Sequence, residues 1–291
     1  MGMSGEDTVL IVGMGYVGHA LGQALDREGV QWLGWRRQAD DDPRIRPVDL
    51  DAETLSADGA GTRRIVYLAP PPKSGAGDPR LRRLLAALES EPPERFVYAS
   101  TTGVYGNQHG AVVTEEASLQ AASPRALRRL DAEQALVEAA SRWGTQWAIL
   151  RLPGIYGPGR LREEAIRAGL ELPCPEVCPP GNRIHRDDIV AVIQRLVVSG
   201  APTGFFNLAD AEHMSSTDFA TAVAQRIGVV LPPCIPDIDA YYAAHPGMAS
   251  FLREQRWVDS SRVRQALDWA PRYDDAISGI EASLGGDRER R

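Results

Sequence analysis

Lysine is almost absent from this chain: of 32 basic residues, Lys73 is the only lysine and the rest are arginines. Cysteine is scarce as well, with only Cys174, Cys178 and Cys234 in 291 residues. An odd count without framework spacing argues against a disulfide-stapled fold and for free thiols in a reducing compartment, so a cytoplasmic location is expected. The pair Cys174-x-x-x-Cys178 sits in the proline-rich run LPCPEVCPPG with no second pair, which favours two thiols in a loop over a zinc site. No apolar run approaches the 18 residues of a membrane span. The polar N-terminus, MGMSGEDT, lacks the basic-then-apolar order of a signal peptide. Positive charge is in deficit overall: the net charge of -7 disfavours a nucleic-acid partner, whose phosphates would be repelled.

What is present is the balance of an ordinary folded protein, 43% hydrophobic and 24% charged, in a chain long enough to bury a core without staples. Short apolar runs at 9–12, 30–35, 65–69, 96–100 and 147–152 read as buried strands. Helical periodicity fills the gaps at 17–28, 79–89 and 124–143. Strands alternating with amphipathic helices predict an α/β, Rossmann-type doubly wound parallel sheet. After Gly154 the pattern becomes rich in glycine and proline, with a short helix at 161–168. It then gives a clear helix at 187–198, a strand at 205–208 and a helix from the Ser215 cap to Ile227. Two units are expected: a dinucleotide-binding domain over 1–160 and a smaller C-terminal substrate lobe over 161–291, with about 185–210 returning to the sheet. The polar tail from Gly285 is expected to lack fixed structure.

Gly13-Met-Gly-Tyr-Val-Gly18 follows the first strand and opens the first helix, the context in which G-x-G-x-x-G has physical meaning. Gly13 permits the tight turn, Gly15 lets the backbone approach a pyrophosphate, and Gly18 lets helix pack on strand. Tyr16 and Val17 begin the helix whose free N–H groups and dipole attract phosphate. At the end of the second strand stand Arg36 and Arg37, with no acid before Asp40. Two guanidinium forks there suit a 2′-phosphate, so NADP is expected ahead of NAD; the alternative is a solvated surface pair. Asp49 is placed near the adenine. Ala69 and Pro70 end the strand that walls the cofactor site, where proline fixes the backbone.

Three further stretches carry a resemblance. Phe96-Val-Tyr-Ala-Ser-Thr-Thr-Gly-Val-Tyr-Gly106, Arg151-Leu-Pro-Gly-Ile-Tyr-Gly-Pro-Gly159 and Arg183-Ile-His-Arg-Asp-Asp188 resemble, in order, segments of extended short-chain dehydrogenases/reductases. The similarity is to their epimerase/dehydratase branch, and closest to its atypical members. It implies a nicotinamide cofactor embraced by the turn at Pro153, a small polar, sugar-like substrate and pairing into a homodimer. It also implies a Tyr-x-x-x-Lys pair on the helix after the fifth strand, and here the chain departs. The matching segment, Ser123-Pro-Arg-Ala-Leu-Arg-Arg129, puts Arg125 at the tyrosine and Arg129 at the lysine. Arg129 offers donors to ribose hydroxyls, but a guanidinium cannot exchange protons as a phenol does.

Thr101 matches the serine/threonine that polarises the substrate oxygen, or is a strand-end threonine bonded to backbone. Tyr105, Tyr156 and His185 are the substitute proton donors; each also has a packing or helix-capping reading. Arg183 is a candidate for an anionic group of the substrate. Two functions follow. The first is an NAD(P)-dependent reductase or epimerase/dehydratase with a non-standard active site, favoured by Thr101 and the intact turn. The second is a sensor that binds the cofactor without turnover and signals to a partner protein, favoured by the lost tyrosine.

Overall fold

The computed structural model describes residues 8–55, 62–198 and 200–285. The chain runs β1 (Val9–Val12), α1 (Tyr16–Arg27), β2 (Trp32–Arg36), β3 (Ile45–Pro47), β4 (Arg64–Tyr67), α2 (Pro79–Ala87) and β5 (Arg95–Thr101). A two-residue β6 (Val112–Val113) precedes α3 (Pro124–Trp143) and β7 (Gln146–Leu152). Next come β8 (Gly154–Tyr156), α4 (Glu163–Arg167), β9 (Arg183–His185), α5 (Arg186–Leu196) and β10 (Gly204–Asn207). The remainder is α6 (Ser216–Arg226), α7 (Ile238–Ala244), α8 (Pro246–Leu252), β11 (Trp257–Val258), α9 (Ser261–Ala266) and α10 (Ala276–Gly285).

Seven strands form one parallel sheet in the order β10-β7-β5-β4-β1-β2-β3. The chain moves outward from β1 to β3 and then crosses back to β4, so the strand order reverses between β1 and β4. In such sheets a crevice opens there, at the carboxyl ends of the strands. The two faces are covered separately. Leu21 and Leu25 of α1 and Ile189, Val192 and Ile193 of α5 share one apolar cluster with Val9, Ile11 and Val97. Leu81, Leu84 and Leu85 of α2 and Ala132 and Leu136 of α3 cover Leu10, Ile65 and Phe96 on the other face. Each buried Val, Leu, Ile or Phe side chain among these contributes about 1.5–3 kcal/mol.

Local signals set the helix ends. Asp78 caps α2 by accepting from the Arg80 and Leu81 amides, and Pro79 occupies its first position. Pro124 opens α3 and left-handed Gly144 closes it, over the span the periodicity predicts. Ser215 caps α6. Beyond β8, Tyr156, Leu161, Ile166, Leu172, Phe219 and Ile280 make a third apolar cluster apart from the sheet. No helix among the described residues is long and apolar enough to cross a membrane.

Several expectations need correction. The helix expected over 161–168 spans only Glu163–Arg167, because Arg162 takes a left-handed conformation (φ 62°) and stops it from starting earlier. β3, the short pairs β6–β11 and β8–β9, and the helices α7 to α10 gave too little periodicity to be anticipated. Gly285 is the last residue of α10 rather than the start of an unstructured tail; the rest of that tail lies outside the described residues.

The thiol expectation is also overturned, since Cys174 and Cys234 form a disulfide and only Cys178 stays free, buried. Their separation of 60 residues leaves no spacing signal in the sequence. The fold brings them together because Cys174 N–H donates to the Ile235 carbonyl at 2.9 Å and Ile235 N–H to that of Leu172 at 2.9 Å. With the bridge, the cysteine argument for a reducing compartment loses its premise.

Arg151 on β7 and Glu133 on α3, each 2% exposed, form an ion pair of 2.8 Å in the interior. Arg151 also donates to the Tyr105 hydroxyl at 2.9 Å, and Tyr105 donates to Asn207 of β10 at 2.7 Å.

Two outcomes follow from these cross-links. Denatured without reductant, the protein should titrate one thiol, rising to three after reduction; three from the outset would refute the bridge. Glu133→Gln leaves the Arg151 charge uncompensated and should lower stability by about 3–5 kcal/mol in urea unfolding. The double change Glu133→Leu with Arg151→Met should cost markedly less than that single change.

Candidate cofactor site

At the crevice between β1 and β4 lies a cleft of about 1040 Å³. Its base is the glycine turn. A Cβ on Gly13 (φ 104°) would sit 2.5 Å from the Ala69 amide nitrogen, so β1 and β4 meet closely only because glycine is there. A Cβ on Gly18 would meet the Gly13 carbonyl at 2.7 Å, whereas one on Gly15 would meet nothing within 4 Å. The turn is therefore packed tight behind and open in front, where α1 begins and presents unpaired amides.

Most residues expected to touch the cofactor line this one cleft. Gly13, Gly15, Tyr16, Val17 and Gly18 form the turn, while Arg36 and Arg37 stand at one end. Ala69 and Pro70 follow β4, and Thr101, Arg129 and Pro153 lie toward the other end. Asp49 does not line it; its carboxylate accepts from the Asp51 amide at 3.0 Å and so orients Asp51, which does. The two arginines are not free phosphate forks. Arg36 is ion-paired with Asp40 and Arg37 with Asp51 at 2.9 Å. Arg80 grips the same Asp51 at 2.5 Å and donates to the Pro70 carbonyl at 2.9 Å, fixing the proline wall. These bonds hold the Asp51 carboxyl below the ordinary carboxylate range, Arg80 contributing most.

Arg129, in the lysine register, enters the cleft from α3. Its guanidinium donates to the Tyr98 hydroxyl at 3.0 Å and the Ala99 carbonyl at 2.9 Å, which fixes it beside β5. Arg125, in the tyrosine register, turns elsewhere: it stacks on Phe251 of α8 at 3.6 Å and donates to Ser250 at 3.1 Å. Thr101 is the one candidate catalytic residue that lines the cleft. Its hydroxyl oxygen accepts from the Gly103 amide at 3.1 Å, leaving its proton free to donate.

The other candidates lie outside. Tyr105 is fully buried between Arg151 and Asn207, and burial raises its pKa. Tyr156 packs among His185, Phe219 and the buried Asp210, with its pKa pushed up by burial. Burial likewise pushes the Asp210 carboxyl up to about 8. His185 caps α5 by accepting from the Asp187 amide at 3.2 Å, and burial draws its pKa down to about 4. Arg183 stacks on Phe219 and donates to the Met214 and Ser215 carbonyls, serving the turn before α6. Tyr105, His185 and Arg183 bond to backbone or core groups and Tyr156 packs in the core, so none of the four lines the cleft.

The cleft also contains residues that the sequence did not single out for it: Trp35, Asp51, Arg80, Ser100 and Arg160. Asp51 and Arg80 meet across 29 residues, a pairing no local pattern carries. Lys73 lines the rim as well; its being the sole lysine was the only available hint. Six basic side chains and one acidic one now face the cavity, in a chain whose net charge is -7.

Comparison with known proteins agrees with this geometry. The pattern of the NAD dependent epimerase/dehydratase family matches residues 81–170. Protein YeeZ of Escherichia coli (strain K12) is 23% identical over 290 residues, spanning 92% of this chain and 97% of that protein. A conserved protein of unknown function from Silicibacter pomeroyi DSS has a solved structure that superposes with a TM-score of 0.82 at 27% identity, covering 97% of this chain and 99% of that one. MoeE5 in complex with UDP-glucose and NAD superposes with a TM-score of 0.78 at 20% identity, covering 97% and 99%. The matched segment, the reversed strand order and the glycine turn point the same way: residues 81–170 are similar to the NAD dependent epimerase/dehydratase family, and the fold is shared with these structures over nearly the whole chain.

Proposed function

We propose that the cleft binds NAD and that the protein is an epimerase/dehydratase-like oxidoreductase acting on an anionic, sugar-type small molecule. The observation that carries this is the cleft itself. It joins the open glycine turn, the half-buried guanidinium of Arg129 and the hydroxyl of Thr101 in one cavity with a large excess of positive charge. NAD would supply hydride acceptance and return at the Thr101 end. There Thr101 donates a hydrogen bond to the reacting oxygen, Arg129 holds ribose hydroxyls, and Leu152, Pro153 and Ile155 exclude water.

Preference for NAD over NADP rests on the carboxylates already holding Arg36 and Arg37. Asp51 can accept from a 2′-hydroxyl, and its charge opposes a 2′-phosphate. The solved relative containing NAD with UDP-glucose is consistent with both the cofactor and the substrate class.

A second reading, a cofactor-binding sensor, is favoured by one specific observation: Arg125 faces α8, and Tyr105, Tyr156 and His185 lie outside the cleft. Without a cleft phenol in the family's register, proton transfer would have to use another group of the cleft, such as Thr101, or water.

Calorimetry should find NADH bound more tightly than NADPH. Asp51→Asn, which releases Arg37 and Arg80, should raise NADPH affinity about tenfold, the equivalent of about 1.4 kcal/mol. An unchanged ratio would remove the carboxylate argument. With UDP-glucose or a UDP-uronic acid as substrate and NAD bound, conversion of the sugar nucleotide should be abolished in Thr101→Val while NADH affinity is kept. No turnover by the wild type across such sugar nucleotides, together with tight NADH binding, would establish the sensor instead.

A further inference from the structure

Beside the glycine turn stands a guanidinium that the family motifs do not explain. Arg160 follows the turn Gly157-Pro-Gly159, whose two glycines have φ of 142° and 71°. Its amide closes that turn on the Gly157 carbonyl at 2.9 Å. Its guanidinium lies over the ring of Tyr16 at 4.1 Å and lines the cleft, exposed. No carboxylate pairs with it among the described residues, although most arginines near the cleft, Arg36, Arg37 and Arg80 among them, hold one.

Tyr16 is the first residue of α1, so the stack on its ring sets Arg160 on the side of the cleft where that helix begins and its first amides lack helical partners. The ring is itself fixed. Its hydroxyl donates to the Pro158 carbonyl at 3.0 Å, and Arg186, whose Nε is taken by Asp187 at 2.9 Å, lies over it at 5.0 Å. The aromatic face thus holds an unneutralised cation at the one point where amides, helix dipole and open space already favour an anion. A guanidinium there can form a two-pronged hydrogen bond with a phosphate that the amides alone cannot enclose.

We propose that Arg160 is a diphosphate clamp: it leaves its stack on Tyr16 to close over the diphosphate bound at the glycine turn, with Tyr16 as the positioning ring. This rests on the cofactor reading above, and the diphosphate is that of the dinucleotide or of a nucleoside-diphosphate substrate sharing the cleft. Being exposed and free of carboxylate partners, Arg160 can be replaced without harm to the fold, which a thermal melt of each variant checks.

The test is calorimetric titration of wild type, Arg160→Ala and Arg160→Lys with NADH, UDP-glucose and adenosine, at low and high salt. Arg160→Ala should weaken NADH about tenfold and flatten its salt dependence, with adenosine, which has no phosphate, unaffected. Arg160→Lys should recover part of the loss. A loss confined to UDP-glucose supports the clamp and assigns it to the substrate's diphosphate. If the wild type binds NADH and Arg160→Ala binds both phosphorylated ligands equally well, the clamp is overturned and the cofactor reading stands. If the wild type binds neither NADH nor UDP-glucose, both are overturned.

Discussion

The buried pair of Arg151 and Glu133 is the interaction on which the arrangement of the cleft depends. Burying two charges is costly and is offset only where geometry and further hydrogen bonds are complete. Here Glu133 also accepts from Ser100 at 2.5 Å, and Arg151 also donates to Tyr105. Four elements converge on this pair: α3 through Glu133, β7 through Arg151, the end of β5 through Ser100, and β10 through Tyr105 and Asn207. Glu133 lies one helical turn beyond Arg129, so the pair also fixes the height at which Arg129 enters the cleft. Ser100 precedes Thr101, so it fixes the opposite wall too.

The near-absence of lysine has a structural counterpart in how arginine is used. Arg95 gathers the carbonyls of Leu196, Ala201 and Pro202, joining the end of α5 to the entry of β10. Arg256 reaches the Gly106 carbonyl at 2.7 Å, and Arg183 serves the turn before α6. Each role uses several N–H groups in a planar fork, which a single ammonium cannot reproduce. The same preference explains Arg129: it fills the lysine register with a group able to bind Tyr98 and Ala99 behind the cleft while still lining it.

The segment from Cys234 to Val258 changes what the tyrosine register means in this chain. It is tied at one end by the bridge to Cys174 and at the other by the pairing of β11 with β6. Between these ties, α8 presents Ser250 and Phe251 to Arg125. The residue that the resemblance puts in the tyrosine register is here a contact for a helix of the C-terminal part. The guanidinium in that register is matched by a ring that stacks on it.

The sequence by itself determined the parts of this protein whose physics is local. Alternating buried strands and amphipathic helices specify the layered sheet, because a period of hydrophobicity is written within ten residues. Gly13, Gly15 and Gly18 specify the turn, because only glycine tolerates the approach to Ala69 and leaves the front open. The missing tyrosine and lysine are also plain in the sequence. Tertiary structure alone decided the rest. Whether Arg36 and Arg37 are free depended on Asp40 and Asp51, and whether Cys174 is a thiol depended on Cys234, 60 residues away. Tyr105, Tyr156 and His185 are as plausible as Thr101 on paper. Which one can meet a substrate is set by burial and by long-range hydrogen bonds, which only the packed chain defines.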